Sequence, residues 1–431
     1  MTSWKFNVSV WLSLFLLAFI FTWERILYAD SAFTLFNVLN HFPAVEHHRY
    51  SQFLNLFPAQ IAVYLQLPIQ VVATMLSLTP LIWAFASSWY ATAQFKKPYW
   101  SFYFLGIFLI TGPEFQFLGT AEMILALIFG GLFTLEIRKP LIFLWAVIAY
   151  LAHPGILPAL IAVSLFQKPF HLLSLAVAFL FKLALIPASG YESQILEKFF
   201  QIQNVFQSWG WHYFYTSIFG GWALPYFVAF ISGIVVFQGK TRWLYISTAI
   251  SLTFLITYLY QEGDSGMMMQ KSYAPLWLLL AVPLLYVENN KLIRNIMIGS
   301  FFWGCFYLVK QANFHTNRMH ELKTKIEHVQ NHSKYGQKII TMADEFHPDV
   351  FGIAWAIPYE TLIYSTHLES EKPITFCLSD SATLNDLKSN RNKKPLGKNE
   401  FRGASFAYPL KNHQLNQRYF SGLSKDAYRI P

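Results

Sequence analysis

Residues 24–68 read ERILYADSAFTLFNVLNHFPAVEHHRYSQFLNLFPAQIAVYLQLP. An acid, Asp30, opens an apolar run at Ser31-Ala32-Phe33, and a polar turn, Glu46-His47-His48-Arg49-Tyr50, follows it. The next apolar run, 54–67, has only 14 residues and carries Asn55, Pro58 and Gln60 near its start. A straight helix needs about 20 apolar residues to cross a bilayer core. The run 54–67 therefore reads as a helix lying along a membrane interface. The whole segment is expected to form two short membrane-parallel helices with a polar turn between them.

Composition supplies the membrane. Of 431 residues, 55% are hydrophobic, 18% are aromatic and 13% are charged, against about 25% charged in an ordinary soluble domain. A disordered chain, a disulfide scaffold and a conventional cytosolic enzyme are excluded. With two cysteines, no disulfide framework or Cys-based metal site is expected. Cys305 lies in an apolar run, where burial in lipid or protein is expected, and Cys377 lies near the C-terminus.

Charge is placed unevenly. Residues 1–309 hold 15 Lys/Arg and 11 Asp/Glu, whereas the much shorter 310–431 hold 17 and 12. This predicts a membrane domain, 1–309, followed by a soluble domain, 310–431. The formal charge of +9 calls for no nucleic-acid partner, and the cluster Arg391, Lys393, Lys394 and Lys398 reads as a solvated loop.

Apolar runs suited to spans are 8–23, 69–90, 172–188, 222–237, 243–260, 273–286 and 295–309. The stretch 99–166 divides into four short pieces, 100–111, 123–135, 141–151 and 156–166. Gly112-Pro113, Arg138-Lys139-Pro140 and His153-Pro154-Gly155 separate them. Taken as eleven spans with the N-terminus inside, the inner loops carry ten cations and two acids, and the outer loops four cations and nine acids. That separation satisfies the positive-inside rule. It places the C-terminal domain on the extracytoplasmic side of an inner membrane, with the first span a retained signal anchor.

A single inner-starting span, an outer loop with an early Asp and two membrane-parallel helices, many further spans and an outer C-terminal domain together resemble the GT-C glycosyltransferases. These are integral-membrane enzymes that use polyprenyl-phosphate-linked sugars. The resemblance covers the layout of residues 1–309 and is specific around 24–68. There, Arg49-Tyr50 precedes a Pro-containing apolar helix, and Asp30 matches the family's acidic residue after the first span. The His47-His48 pair is not general to the superfamily. The resemblance implies a GT-C-like bundle of many transmembrane helices, for which the charge separation gives about eleven. It also implies transfer of a sugar from a polyprenyl-phosphate-linked donor to a glycan, lipid or protein acceptor.

The candidate site residues lie on the expected outer face. Asp30 reads in two ways: an N-cap for a helix starting at Ser31, or a base taking a proton from an acceptor hydroxyl. The tips of the short hairpins, 112–122 and 152–154, are expected at the floor of a pit. Irregular backbone at that depth must line a cavity or be buried in protein. Glu114, Glu122 and His153 would face that pit together with His47 and His48. Alternatively, His153-Pro154-Gly155 only makes a turn, its imidazole satisfied by backbone. Lys182, inside a span, suits the donor phosphate with Arg49 and Lys271; the plain alternative is a snorkelling or ion-paired lysine. The aromatic loop 191–219 suits sugar rings or an interface belt, and 261–273 reads as a mobile lid. A divalent metal among Asp30, Glu114 and Glu122 has little support from spacing.

In the C-terminal domain, 312–335 is expected to be helical, with Met319, Leu322, Ile326 and Val329 on one stripe. Segments 338–342, 360–365 and 373–378 read as strands, and 388–402 as a polar loop, giving a small α/β or α+β module. The leading reading is an inverting glycosyltransferase with Asp30 as base. The alternatives are a transporter or flippase of lipid-linked intermediates and a non-catalytic GT-C-like assembly partner.

Overall fold

The computed structural model describes residues 2–42, 44–45, 48–111, 122–186, 193, 223–259, 266–286, 291–331, 337–342, 354–379, 398–403 and 409–429 (backbone only at 2–7, 259, 266–271 and 291–294). The chain is mostly helical, with a little strand near its C-terminus. The first helix, α1 (Thr2–Ile20), leads into the short α2 (Thr22–Ile26). The quoted segment then forms α3 (Asp30–Leu39) and α4 (Phe53–Tyr64), and α5 (Ile69–Phe95) comes next. The four short apolar pieces are four separate helices: α6 (Ser101–Leu109), α7 (Glu122–Leu135), α8 (Lys139–Ala152) and α9 (Leu157–Ser164). Then come α10 (Pro169–Leu185), α11 (Leu224–Val236), α12 (Gly239–Leu259), α13 (Gly266–Leu280) and α14 (Lys291–Asn331).

Proline sets several of these starts. Pro140, Pro158, Pro169 and Pro225 occupy the first turns of α8, α9, α10 and α11, where the missing N–H has no intrahelical partner to lose. The brevity of α6 and α7 reflects where they lie. All nine residues of α6 are buried, as is α7 from Met123 to Leu135. They form the centre of a helical bundle and touch protein on every side. Inside it, the Tyr103 hydroxyl donates to the Leu127 carbonyl (2.6 Å) and the Trp277 indole N–H to the Tyr103 carbonyl (3.0 Å).

By length and composition, α5 alone among the described residues is long and apolar enough to cross a bilayer. The outer helices nonetheless carry apolar side chains outward. On α10, Leu180, Leu183 and Leu185 are 61%, 61% and 65% exposed. On α1, Trp11, Leu14 and Ala18 face the bundle while Leu12, Leu16 and Phe19 face away from it. Cys305 on α14 is exposed beside the exposed Phe302 and Phe306, so protein does not cover it.

A second core lies beside the bundle. Leu35, Phe36, Leu39, Leu56 and Ala59 from the quoted segment share it with Leu322, Ile326, Leu362 and Phe401 from the C-terminal part. The stripe Met319, Leu322, Ile326 and Val329 is buried in it. The helix that carries this stripe does not begin near residue 312. α14 runs unbroken for 41 residues from the last apolar stretch into the C-terminal part, about 60 Å at the usual rise. Beyond it come β1 (Lys338–Met342), α15 (Ile357–Leu368), β2 (Thr375–Ser379), β3 (Glu400–Arg402), β4 (Pro409–Lys411) and the single turn α16 (Gln417–Phe420). β1 and β2 pair in parallel, with Lys338 opposite Thr375; β3 and β4 pair antiparallel, with Phe401 opposite Leu410.

Two further expectations are corrected. Segment 360–365, read as a strand, lies inside α15. Ile357–Ile363 are all buried, so neither a two-residue nor a 3.6-residue alternation marks the segment. Pro358 in the first turn is the helix signal it does carry. Within 388–402, read as loop, the last three residues form β3.

Candidate functional site

The quoted segment and the C-terminal part meet at Leu27–Asp30. Asp30 is exposed and is the first residue of α3. It does not cap a helix starting at Ser31: the flanking residue is Ala29, whose methyl group offers no cap. Ala29 has φ 49° and ψ −126°. A Cβ makes that region costly, roughly 1–3 kcal/mol where tertiary structure enforces it. The strained residue thus stands immediately before the acid that the sequence singled out.

Side chains from the C-terminal part hold this turn. The Arg318 guanidinium donates to the Leu27 carbonyl (2.6 Å) and is ion-paired with Glu360. Glu360 in turn accepts from the Ala29 N–H (3.2 Å). The Tyr28 ring lies under the guanidinium, 4.9 Å from its centroid, and packs edge-on against His315. Arg318 and Glu360 are each 1% exposed. Burial raises the Glu360 carboxyl above the usual carboxylate range, against the pull of Arg318 and the Ala29 N–H. Burial lowers the His315 imidazole to about 3, which leaves it neutral beside Arg318.

Sequence reasoning missed Arg318 and Glu360. One signal was available for the first: Arg318 falls on the apolar stripe of α14, next to Met319 and one turn before Leu322, where a solvated arginine has no place. Nothing comparable marks Glu360, which lay in the segment misread as a strand.

Of the other candidates, Arg49 and Glu122 meet, His48, His153 and Lys182 have partners of their own, and the side chains of the rest lie outside the described residues. Arg49, almost fully buried, is ion-paired with Glu122 at the head of α7. The pair ties the quoted segment to the bundle, and the carboxylate suits the positive end of the helix dipole. His153 is half-buried. Its Nδ1 accepts from the Gly155 N–H (3.1 Å), which is the turn-making role. A Cβ added to Gly155 would lie 3.5 Å from the Met123 Cε, so the α8–α9 turn lies close to the head of α7. Lys182 is buried, its amine 5.0 Å from the Tyr150 ring centroid. His48 stacks on Tyr50 at 6.1 Å. His47, Glu114 and the side chain of Lys271 lie outside the described residues, as do most of the aromatic loop 191–219 and part of the lid 261–273. Among the described residues, no cluster of three His, Cys, Asp or Glu could hold a metal ion.

Compared with known proteins, the chain matches no family model, no curated protein and no solved structure.

Lys182 offers a test of the phosphate-binding role expected of it from the sequence. Lys182→Met keeps the length and bulk of the stem and removes the charge. A buried amine is costly to desolvate, so the expected result is normal expression with undecaprenyl phosphate binding weakened about tenfold or more. Unchanged lipid binding with collapsed expression marks the cation–π contact with Tyr150 as structural instead.

Proposed function

We propose that the chain is a polytopic inner-membrane glycosyltransferase of GT-C-like organisation. It moves a sugar from a polyprenyl-phosphate-linked donor to a glycan, lipid or protein acceptor on the extracytoplasmic side. The observation that carries this reading is the exposed Asp30 at the head of α3, set directly after a strained Ala29. Strain of this kind concentrates at functional sites. The outward-facing leucines of α10 and the outward faces of α1 and α14 support the membrane setting, since large contiguous apolar surfaces seek a partner or a bilayer.

In this reading Asp30 takes the proton of the acceptor hydroxyl as that oxygen attacks the anomeric carbon. The bond from that carbon to the phosphate oxygen breaks, and polyprenyl phosphate leaves with the bonding electrons. A single displacement inverts the sugar. Arg49, Lys182 and Lys271 balance the charge on the departing phosphate. A phosphate that reaches Arg49 must share it with Glu122, so the ion pair sets how much charge the arginine offers.

Purified protein in nanodiscs, given a panel of undecaprenyl-phosphate-linked hexoses and pentoses, separates the readings. A glycosyltransferase releases undecaprenyl phosphate from a donor in the panel, by transfer or slow hydrolysis. Retention of every donor intact favours a carrier or a non-catalytic partner.

The topology has its own check. Cys377 is fully buried, so a reporter belongs at an exposed position such as Lys372→Cys in a Cys305→Ser background. A membrane-impermeant thiol reagent should label it in intact spheroplasts. Labelling only after the inner membrane is lysed would put the C-terminal part inside and overturn the eleven-span arrangement.

A further inference from the structure

The geometry points to Arg318 and Glu360 as positioning residues that fix the Asp30 carboxylate, which makes the C-terminal part a component of the active site. The inference rests on the reading of Asp30 as the base.

Three observations combine. First, the break between α2 and α3 leaves the Leu27 carbonyl and the Ala29 N–H facing Arg318 and Glu360, which take them as partners at 2.6 and 3.2 Å. The ion pair acts as a brace across the turn, gripping one acceptor and one donor two residues apart. Second, Ala29 between them has φ 49° and ψ −126°. An alanine leaves that conformation when nothing enforces it, and its relaxation to negative φ re-aims the first residue of α3, which is Asp30. Third, the brace is anchored away from the bundle. Arg318 lies on the buried stripe of α14, and Glu360 lies on α15 in the core shared with Phe36 and Leu39. The same wall is closed by the Asn416 side chain donating to the Leu39 carbonyl (2.8 Å) and the Tyr419 hydroxyl donating to the Leu67 carbonyl (2.8 Å). The head of α3 is thus held from the C-terminal side.

A brace of this kind affects orientation more than binding. A base displaced by about 1 Å from its productive geometry loses on the order of a hundredfold in rate, while a donor held elsewhere binds as before. The two effects separate as kcat against KM.

The test uses the full chain in nanodiscs with the undecaprenyl-phosphate-linked sugar that the wild type turns over. Arg318→Met combined with Glu360→Leu removes both charges together, which buried pairs tolerate far better than loss of one partner. Expected is a kcat about a hundredfold lower, with KM for the lipid donor within twofold of wild type. Adding Ala29→Gly makes positive φ accessible without strain and should recover at least tenfold of the loss. Arg318→Lys keeps the pair but replaces the forked guanidinium with a single amine. It should lose about tenfold in kcat and keep its fold. A merely structural pair gives a different pattern whatever the melting temperature does: kcat per folded molecule is unchanged, and Ala29→Gly recovers nothing.

Amide hydrogen exchange stands independently of turnover. The Ala29 amide should exchange faster in the paired variant than in wild type, and equal exchange would overturn the brace. The two readings fail distinguishably. Full transfer by Asp30→Asn removes the base and the inference with it. An inactive Asp30→Asn beside a paired variant of normal kcat removes the brace alone.

Discussion

Asp30→Asn should leave a protein of normal abundance and melting temperature that has lost almost all sugar transfer. Asn keeps the size and shape of the side chain but cannot accept the acceptor's proton. A positioned general base contributes about a hundred- to ten-thousandfold in rate, and a loss in that range is expected for kcat. The stability cost should be small, because Asp30 is exposed and makes no N-cap for α3. The substitution does remove the favourable position of a negative charge in the first helical turn, about 0.3–1 kcal/mol. Asp30→Ala should behave alike, with no further loss from a missing cap. Transfer and thermal unfolding measured on the same preparation check both halves. An Asp30→Asn protein with wild-type transfer would leave the carrier and silent-partner readings ahead.

The largest stability effects belong to Arg318 and Glu360 taken singly. Both are 1% exposed and each is the other's counter-charge. Removing one leaves an uncompensated buried charge, at a cost of about 3–5 kcal/mol. Glu360→Ala also strips the Ala29 N–H of its acceptor, and Arg318→Ala strips the Leu27 carbonyl of its donor. Either change should lower the melting temperature by many degrees and reduce the amount of protein recovered. Replacing both by apolar residues of similar volume removes the charge penalty but still leaves the Leu27 carbonyl and the Ala29 N–H without these partners, so the double variant should lose less than the sum of the two single losses. Thermal unfolding of the two single variants and the double variant gives the coupling directly. Additive losses in the double variant would mean that the two side chains act independently.

The helices were legible where punctuation was strong. Arg138-Lys139-Pro140 and His153-Pro154-Gly155 each mark a real break, and the proline of each lies in the first turn of the next helical segment. The second helix of the segment 24–68 was legible because an apolar run carrying Asn55, Pro58 and Gln60 is too apolar for a loop, and Phe53–Tyr64 is helical. α15 was not, since its residues from Ile357 to Ile363 are all buried and burial on every face erases periodicity.

The site was legible in its exposed part and hidden in its buried part. Asp30 announces itself as an acid after an apolar run. On the reading of Asp30 as a cap the start of α3 falls one residue late; the flanking residue is Ala29, whose N–H has its partner in Glu360, 331 positions away. Local rules for helix caps cannot register a partner at that distance. Arg49 and Glu122 were both selected for the outer face, and the structure joins them. Their pairing across 73 positions has no trace in spacing.

The most direct test of the proposed chemistry is a density map of the full chain in nanodiscs with undecaprenyl phosphate added. The expected result is a phosphate bound by Arg49 and Lys182, with the Asp30 carboxylate facing the side from which an acceptor reaches the anomeric carbon. A phosphate bound away from both cations, or an Asp30 carboxylate turned away from it, would contradict the proposed mechanism.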